Sequence, residues 1–252
     1  MILDLDCGNT LIKWQLQTNG RVFARGRALS DQELVRQVGC QLNTTPLDLC
    51  RLASVRSPAE TQELLAVLQM HYPHARLLQA AVVESCAGVH NGYLEPGRLG
   101  LDRWLAMLGA YHAARQACLV LDLGTAVTAD LVDAAGRHLG GYICPGLPLM
   151  RTQLQTHTRR IRYDEQEAAL APQELAPGCS TAEAVERGCI LMLRGFVLTQ
   201  LELARSYWQE SFEVFLTGGD AALVADHIPG VRHVPDLVFS GLALACPLGG
   251  EV

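Results

Sequence analysis

Short apolar runs recur along the chain, and two of them are built alike. Leu3-Asp4-Leu5-Asp6-Cys7-Gly8-Asn9-Thr10 and Leu119-Val120-Leu121-Asp122-Leu123-Gly124-Thr125-Ala126 both read as strands ending in Asp-x-Gly. A second β-prone run follows each, then a turn at Asn19-Gly20 or Ala135-Gly136, then a third short strand, Arg21 to Gly26 or Arg137 to Ile143. Asp6 and Asp122, Gly8 and Gly124, and Gly20 and Gly136 are each 116 residues apart, so the strand–turn–strand–turn–strand unit is repeated.

Helical periodicity comes later in both halves. Asp31 to Val38, Pro58 to Met70 and Leu101 to Arg115 are expected helices, the last carrying Leu101, Leu105 and Leu108 on one stripe with Trp104. Thr181 to Tyr207 is a long helical pattern with Ser180 or Thr181 as N-cap and Glu183 and Glu186 in its first turns. A final helix is expected over Pro235 to Ala245. Three antiparallel strands followed by alternating helices and strands, twice over, imply an α/β fold of two similar halves, residues 1–116 and 117–252. No Pro/Gly-rich linker marks the junction near Gln116, so the halves are expected to pack tightly around a cleft.

Composition narrows the function classes. A net charge of −6 is a prior against a nucleic-acid or membrane-surface protein, either of which needs a basic face. The start, Met1 to Asp6, places two carboxylates where a signal peptide would be basic and then apolar, and no apolar run is long enough to span a bilayer. The nine cysteines include no CxxC pair, which points to free thiols in a reducing, cytoplasmic setting rather than a disulfide framework or zinc site. Among the 20 Lys and Arg residues the only lysine is Lys13, just after the first Asp-x-Gly. No HExxH, Gly-x-Ser-x-Gly or GxxxxGK[ST] pattern occurs, which removes zincins, serine hydrolases and Walker-type ATPases.

The two turns suit a phosphate. Gly8 permits a tight turn and close backbone approach, and the amides around it with Asn9 and Thr10 supply donors. Asp6 is a hard oxygen ligand suited to Mg²⁺, directly or through water, and Lys13 is near enough in sequence to reach the same oxygens. Asp122-Leu123-Gly124-Thr125 repeats the arrangement, and Gly218-Gly219 adds a third tight turn beside which a nucleoside can pass. The alternative for either turn is an ordinary hairpin with a charged neighbour.

These two turns with Thr217-Gly218-Gly219 resemble the phosphate-1, phosphate-2 and adenosine motifs of the actin, sugar-kinase and heat-shock ATPase superfamily, whose halves are ribonuclease-H-like and enclose a nucleotide cleft. Within it, Gly100-Leu101-Asp102-Arg103, the run Gly140 to Gly146, and Thr181-Ala182-Glu183-Ala184-Val185 resemble the signatures of type III pantothenate kinases. The resemblance covers nearly the whole chain. It implies ATP-dependent phosphorylation of the primary hydroxyl of pantothenate, the first step of coenzyme A biosynthesis.

It also implies roles. Asp102 is the general base; an N-cap or helix-dipole aspartate is the structural alternative. Arg103 takes the substrate carboxylate, with Tyr93, Gly100, Leu101 and Thr181 around pantothenate, Thr181 reaching in from the neighbouring subunit of a homodimer. Asp6, Cys7, Gly8, Asn9, Thr10 and Lys13 hold ATP with Mg²⁺ near Asp6, and Thr125 contacts phosphate from the other half. Asp122 matches a monovalent-cation site for K⁺ or ammonium, although on chemistry alone a carboxylate there suits Mg²⁺ equally well. Two rival readings are a non-catalytic relative acting as an accessory factor in transcriptional regulation and a kinase of the same fold acting on a sugar or acetate.

Overall fold

The computed structural model describes residues 1–209 and 211–248. The chain divides into two compact units, Met1–Ala113 together with the segment from Asp236, and Ala114–Pro235.

In the first unit β1 (Ile2–Cys7), β2 (Ile12–Thr18) and β3 (Arg21–Ala28) form an antiparallel meander. After α1 (Asp31–Leu42), β4 (Leu49–Ser54) pairs parallel with β1; after α2 (Pro58–His71), β5 (Arg76–Gln79) pairs parallel with β4. The spatial order is β3-β2-β1-β4-β5. Strand alternation explains which face is covered. Leu3, Leu5 and Cys7 on β1 and Ile12, Trp14 and Leu16 on β2 bury against Leu34 and Val38 of α1 and Leu64 and Leu68 of α2. Each fully buried leucine contributes about 1.5–3 kcal/mol. The helices start where side chains satisfy their free amides: Ser30 accepts from the Glu33 amide, and Ser57 and Glu60 form a capping box with Pro58 in the first turn.

Two short strands, β6 (Ser85–Cys86) and β7 (Val89–His90), are joined by Ala87 and Gly88, both at positive φ (48° and 83°), the two-residue turn that suits a hairpin's twist. They lead through Tyr93 to α3 (Leu101–Ala114), which ends at Arg115 in the left-handed region rather than including it.

The second unit repeats the plan. It comprises β8 (Cys118–Leu123), β9 (Ala126–Val132), β10 (His138–Pro145), α4 (Leu147–His157), α5 (Glu165–Leu170), α6 (Thr181–Tyr207), β11 (Glu213–Thr217), α7 (Ala222–Ala225) and β12 (Arg232–His233). Its sheet runs β10-β9-β8-β11-β12, with the antiparallel and parallel pairings falling where they fall in the first sheet. The core forms between Leu119, Leu121, Leu123, Val127 and Leu131 of the sheet and Val185, Ile190, Leu193, Val197 and Leu201 of α6. Ser180, not Thr181, is the N-cap of α6, in a capping box with Glu183.

The last helix, α8 (Leu237–Ala245), begins two residues later than the sequence suggests and groups with the first unit, whereas a division at Gln116 places it in the second. It packs against β1 and β4 and crosses α3 closely. A Cβ on Gly241 would lie 1.8 Å from the Leu105 carbonyl oxygen, and one on Gly109 would lie 2.7 Å from that of Leu237, so glycine on both helices sets the approach.

Candidate active site

In the first unit the site is built at the end of β1. Cys7 pairs with Ile12, which leaves Gly8 to Leu11 as the turn, closed by a 3.0 Å hydrogen bond from the Gly8 amide to the Leu11 carbonyl. Asn9 and Thr10 are exposed at its tip. Cys7 faces the core and is fully buried, and burial pushes its thiol pKa up to about 12. Its side chain is therefore turned away from a ligand at the turn.

Sheet register brings Asp6 and Lys13 together, because they are directly paired across β1 and β2. The Lys13 ammonium lies 3.7 Å from an Asp6 carboxylate oxygen. Asp6 retains 17% side-chain exposure, and burial is the main cause of a pKa raised above the usual carboxylate value. Lys13 pulls it down, while the charge of Asp102 pushes it up. Two carboxylates and one ammonium therefore share one electrostatic environment.

Asp102 is in the first turn of α3, one residue inside the helix start, and is exposed. Its Oδ1 accepts from the Arg103 amide at 2.8 Å, so it does occupy the helix-dipole position. Gly100 leaves the room: a Cβ there would sit 2.7 Å from Asp102 Oδ1. Leu101 opens the helix, half-buried. Arg103 is buried at 5% exposure, its Nη1 donating to the Tyr93 hydroxyl at 2.7 Å and its guanidinium 5.6 Å from that ring's centre. Tyr93 is itself held by an amide hydrogen bond to Asn91 Oδ1 at 3.0 Å. The structure thus brings Tyr93, Gly100, Asp102 and Arg103 together.

Sequence reading missed Arg56. Just beyond β4, its Nε donates to the Gly8 carbonyl at 3.1 Å and its Nη1 to Asp31 Oδ1 at 3.0 Å, with 11% of the side chain exposed. No local pattern marks it, since its partners are 48 and 25 residues away.

In the second unit the β8–β9 turn is shorter than the β1–β2 turn, since Leu123 pairs with Val127. Asp122 is paired with Thr217 across β8 and β11. Three glycines close around this turn. A Cβ on Gly218, at φ 94°, would lie 2.5 Å from Asp122 Oδ1; one on Gly146 would lie 2.2 Å from the Gly124 carbonyl oxygen; one on Gly124 would lie 3.3 Å from Asp122 Oδ1. The Gly146 amide donates to the Thr125 carbonyl at 3.0 Å, leaving the Thr125 residue exposed at the tip. Thr181 is exposed at the first position of α6.

Among the described residues no group of three or more His, Cys, Asp or Glu side chains forms a metal cage. A single carboxylate such as Asp6 still fits Mg²⁺, which commonly takes its other ligands from phosphate oxygens and water. No helix of the described residues is long and apolar enough to cross a membrane.

Residues 2–202 match the profile of a family described as Type III pantothenate kinase. A protein of that name from Pseudomonas savastanoi pv. phaseolicola is 59% identical over 250 residues, covering 98% of this chain and all of the relative. One from Pseudomonas aeruginosa is 58% identical over 249 residues with the same coverage. Among solved structures, a Baf-family protein from Campylobacter jejuni superposes with a TM-score of 0.59 at 16% identity, covering 96% of each chain. At that identity the likeness speaks for the fold alone.

Proposed function

The chain belongs to the type III pantothenate kinases, and from that premise we propose that Asp102 takes the proton of the primary hydroxyl of pantothenate while the turn after Asp6 holds the phosphates of ATP. The enzyme transfers phosphate from ATP to pantothenate, the first step of coenzyme A biosynthesis. The observations that carry the residue assignment are the cross-strand pairing of Asp6 with Lys13 beside the turn, and Asp102 at the start of α3 next to Arg103 and its Tyr93 partner.

Asp102 is exposed at a helix start, so a hydroxyl brought to its carboxylate gives up its proton there as its oxygen bonds to the γ-phosphorus and the bond from that phosphorus to ADP breaks. Arg103, with Tyr93, Gly100 and Leu101 beside it, orients the substrate carboxylate through its planar fork of donors. The Asn9 and Thr10 amides and side chains, with Lys13, bind the β- and γ-phosphates. Mg²⁺ at Asp6 supplies charge neutralisation of those phosphates. Thr125 contacts phosphate, and Asp122 holds K⁺ or NH₄⁺, whose charge offsets the carboxylate's partial burial.

The protein works as a cytoplasmic homodimer in which Thr181 of one copy completes the pantothenate site of the other. Supporting this, α6 exposes Leu191, Met192 and Leu198 at 51%, 65% and 47%, and a Cβ on Gly188 or Gly195 of the same helix would meet nothing. An exposed apolar stripe with small residues between suits close approach of a second copy.

The test is ADP release by purified protein with ATP, Mg²⁺ and K⁺, first with pantothenate and then with sugars and acetate. Turnover with pantothenate alone is expected. Turnover on a sugar or acetate without turnover on pantothenate contradicts the reading.

A further inference from the structure

Arg56 stands outside every motif that points to the kinase chemistry, yet it touches the phosphate-binding turn. Two of its donors are committed in different directions, Nε to the Gly8 carbonyl at 3.1 Å and Nη1 to Asp31 Oδ1 at 3.0 Å. Asp31 opens α1, whose start is fixed independently by the Ser30 cap, so the carboxylate is a firm anchor. β4 delivers Arg56 to this spot: the Val55 amide donates to the Cys7 carbonyl at 3.0 Å, extending the β1–β4 pairing to the edge of the turn.

The consequence follows from peptide planarity. The Gly8 carbonyl and the Asn9 N–H belong to one trans peptide unit, so they point in opposite directions. Holding the carbonyl on the guanidinium aims the Asn9 N–H away from Arg56. Gly8 is the residue at which this peptide rotates most easily, having no Cβ. A rotated peptide presents a carbonyl oxygen where the turn otherwise offers a donor, and a carbonyl repels a phosphate.

We propose that Arg56 is a positioning residue for ATP, locking the Gly8–Asn9 peptide in the orientation that donates to phosphate, with Asp31 as its anchor. The inference rests on the reading that the Asp6 to Lys13 turn takes phosphate. Arg56 touches no reacting atom in this account, and its effect falls on the nucleotide rather than on pantothenate.

KM for ATP and for pantothenate, measured separately in Arg56→Ala and Arg56→Lys, test it. In Arg56→Ala, KM for ATP is expected to rise roughly ten- to a hundredfold, the loss of a charge-assisted hydrogen bond, with KM for pantothenate within about twofold. Guanidinium ion at sub-denaturing concentration should restore part of the ATP affinity in Arg56→Ala and none in Arg56→Lys. Arg56→Lys should keep most of the defect, because one ammonium cannot serve both oxygens in this geometry. If Arg56→Ala does not fold, Asp31→Asn serves instead, with a severalfold rise in KM for ATP alone. Equal rises in both KM values, or a normal Arg56→Lys or Asp31→Asn enzyme, overturn the inference. Thr10→Ala separates the two levels: a raised KM for ATP there beside a normal Arg56→Ala sinks the role of Arg56 only. An unchanged KM for ATP in both sinks the phosphate reading and the inference with it.

Discussion

Asp6 is a carboxylate kept where ionisation is disfavoured, by burial first and by Asp102 as well, with Lys13 offsetting part of it. Its folded pKa stands above the ordinary 3.8, so the folded chain holds that proton more tightly than the unfolded chain. Its contribution to stability is therefore fully present below pH 3.8 and is lost as pH rises through the folded value. At neutral pH in EDTA, Asp6→Asn is expected to melt a few degrees above wild type while losing kinase activity, a stability–function trade. A lower Tm for that variant at neutral pH contradicts this reading of Asp6. The same residue illustrates which parts of the site were legible. Asp6, Gly8, Asp122 and Gly124 announce themselves through local turn chemistry repeated 116 residues apart. Arg56 and Asp31 do not, because the sheet register that joins them to Gly8 is a property of the fold. Nor does any sequence pattern reveal that the Cys7 side chain faces the core; that depends on which face of β1 the helices cover.

At the scale of elements, the α3–α8 crossing matters most, since α3 carries Asp102 and Arg103 at its start. Gly241→Ala places a methyl group 1.8 Å from Leu105's carbonyl oxygen, a clash the helices can relieve only by separating. A loss of more than about 2 kcal/mol in urea unfolding is expected, within the range of overpacking at a tight contact, together with reduced kcat. Wild-type stability in Gly241→Ala would show that the crossing is loose. The elements themselves were largely readable. Capping residues and periodicity placed the helix at Thr181–Tyr207 with its ends where the structure has them, and Asn19-Gly20 makes the expected turn, both residues at positive φ. What escaped is tertiary in origin. The strands β5 and β12 are short and carry charged or polar residues, and the affiliation of α8 depends on packing against β1, β4 and α3, all far from it in sequence.

The whole molecule is a duplicated plan, two sheets of the same strand order, and the constant 116-residue offset between matching Asp and Gly positions is the mark of that duplication in the sequence. The first copy's turn is longer than the second's, leaving Asn9 and Thr10 at its tip beside Lys13. That difference accords with giving the nucleotide's terminal phosphates to the first turn. At this scale belongs the proposed dimer. Leu191→Arg is expected to convert a dimer to a monomer in sedimentation and to raise KM for pantothenate at least about tenfold, because Thr181 then lacks its neighbour. A monomeric variant with unchanged KM would place Thr181 outside the substrate site. The central claim, that Asp102 deprotonates pantothenate beside the phosphate turn, is tested most directly by single-turnover formation of phosphopantothenate in Asp102→Asn at saturating ATP and pantothenate. The rate is expected to fall by roughly 10²–10⁴-fold with ATP binding retained. A rate equal to wild type would leave Asp102 as no more than a favourable charge at a helix start.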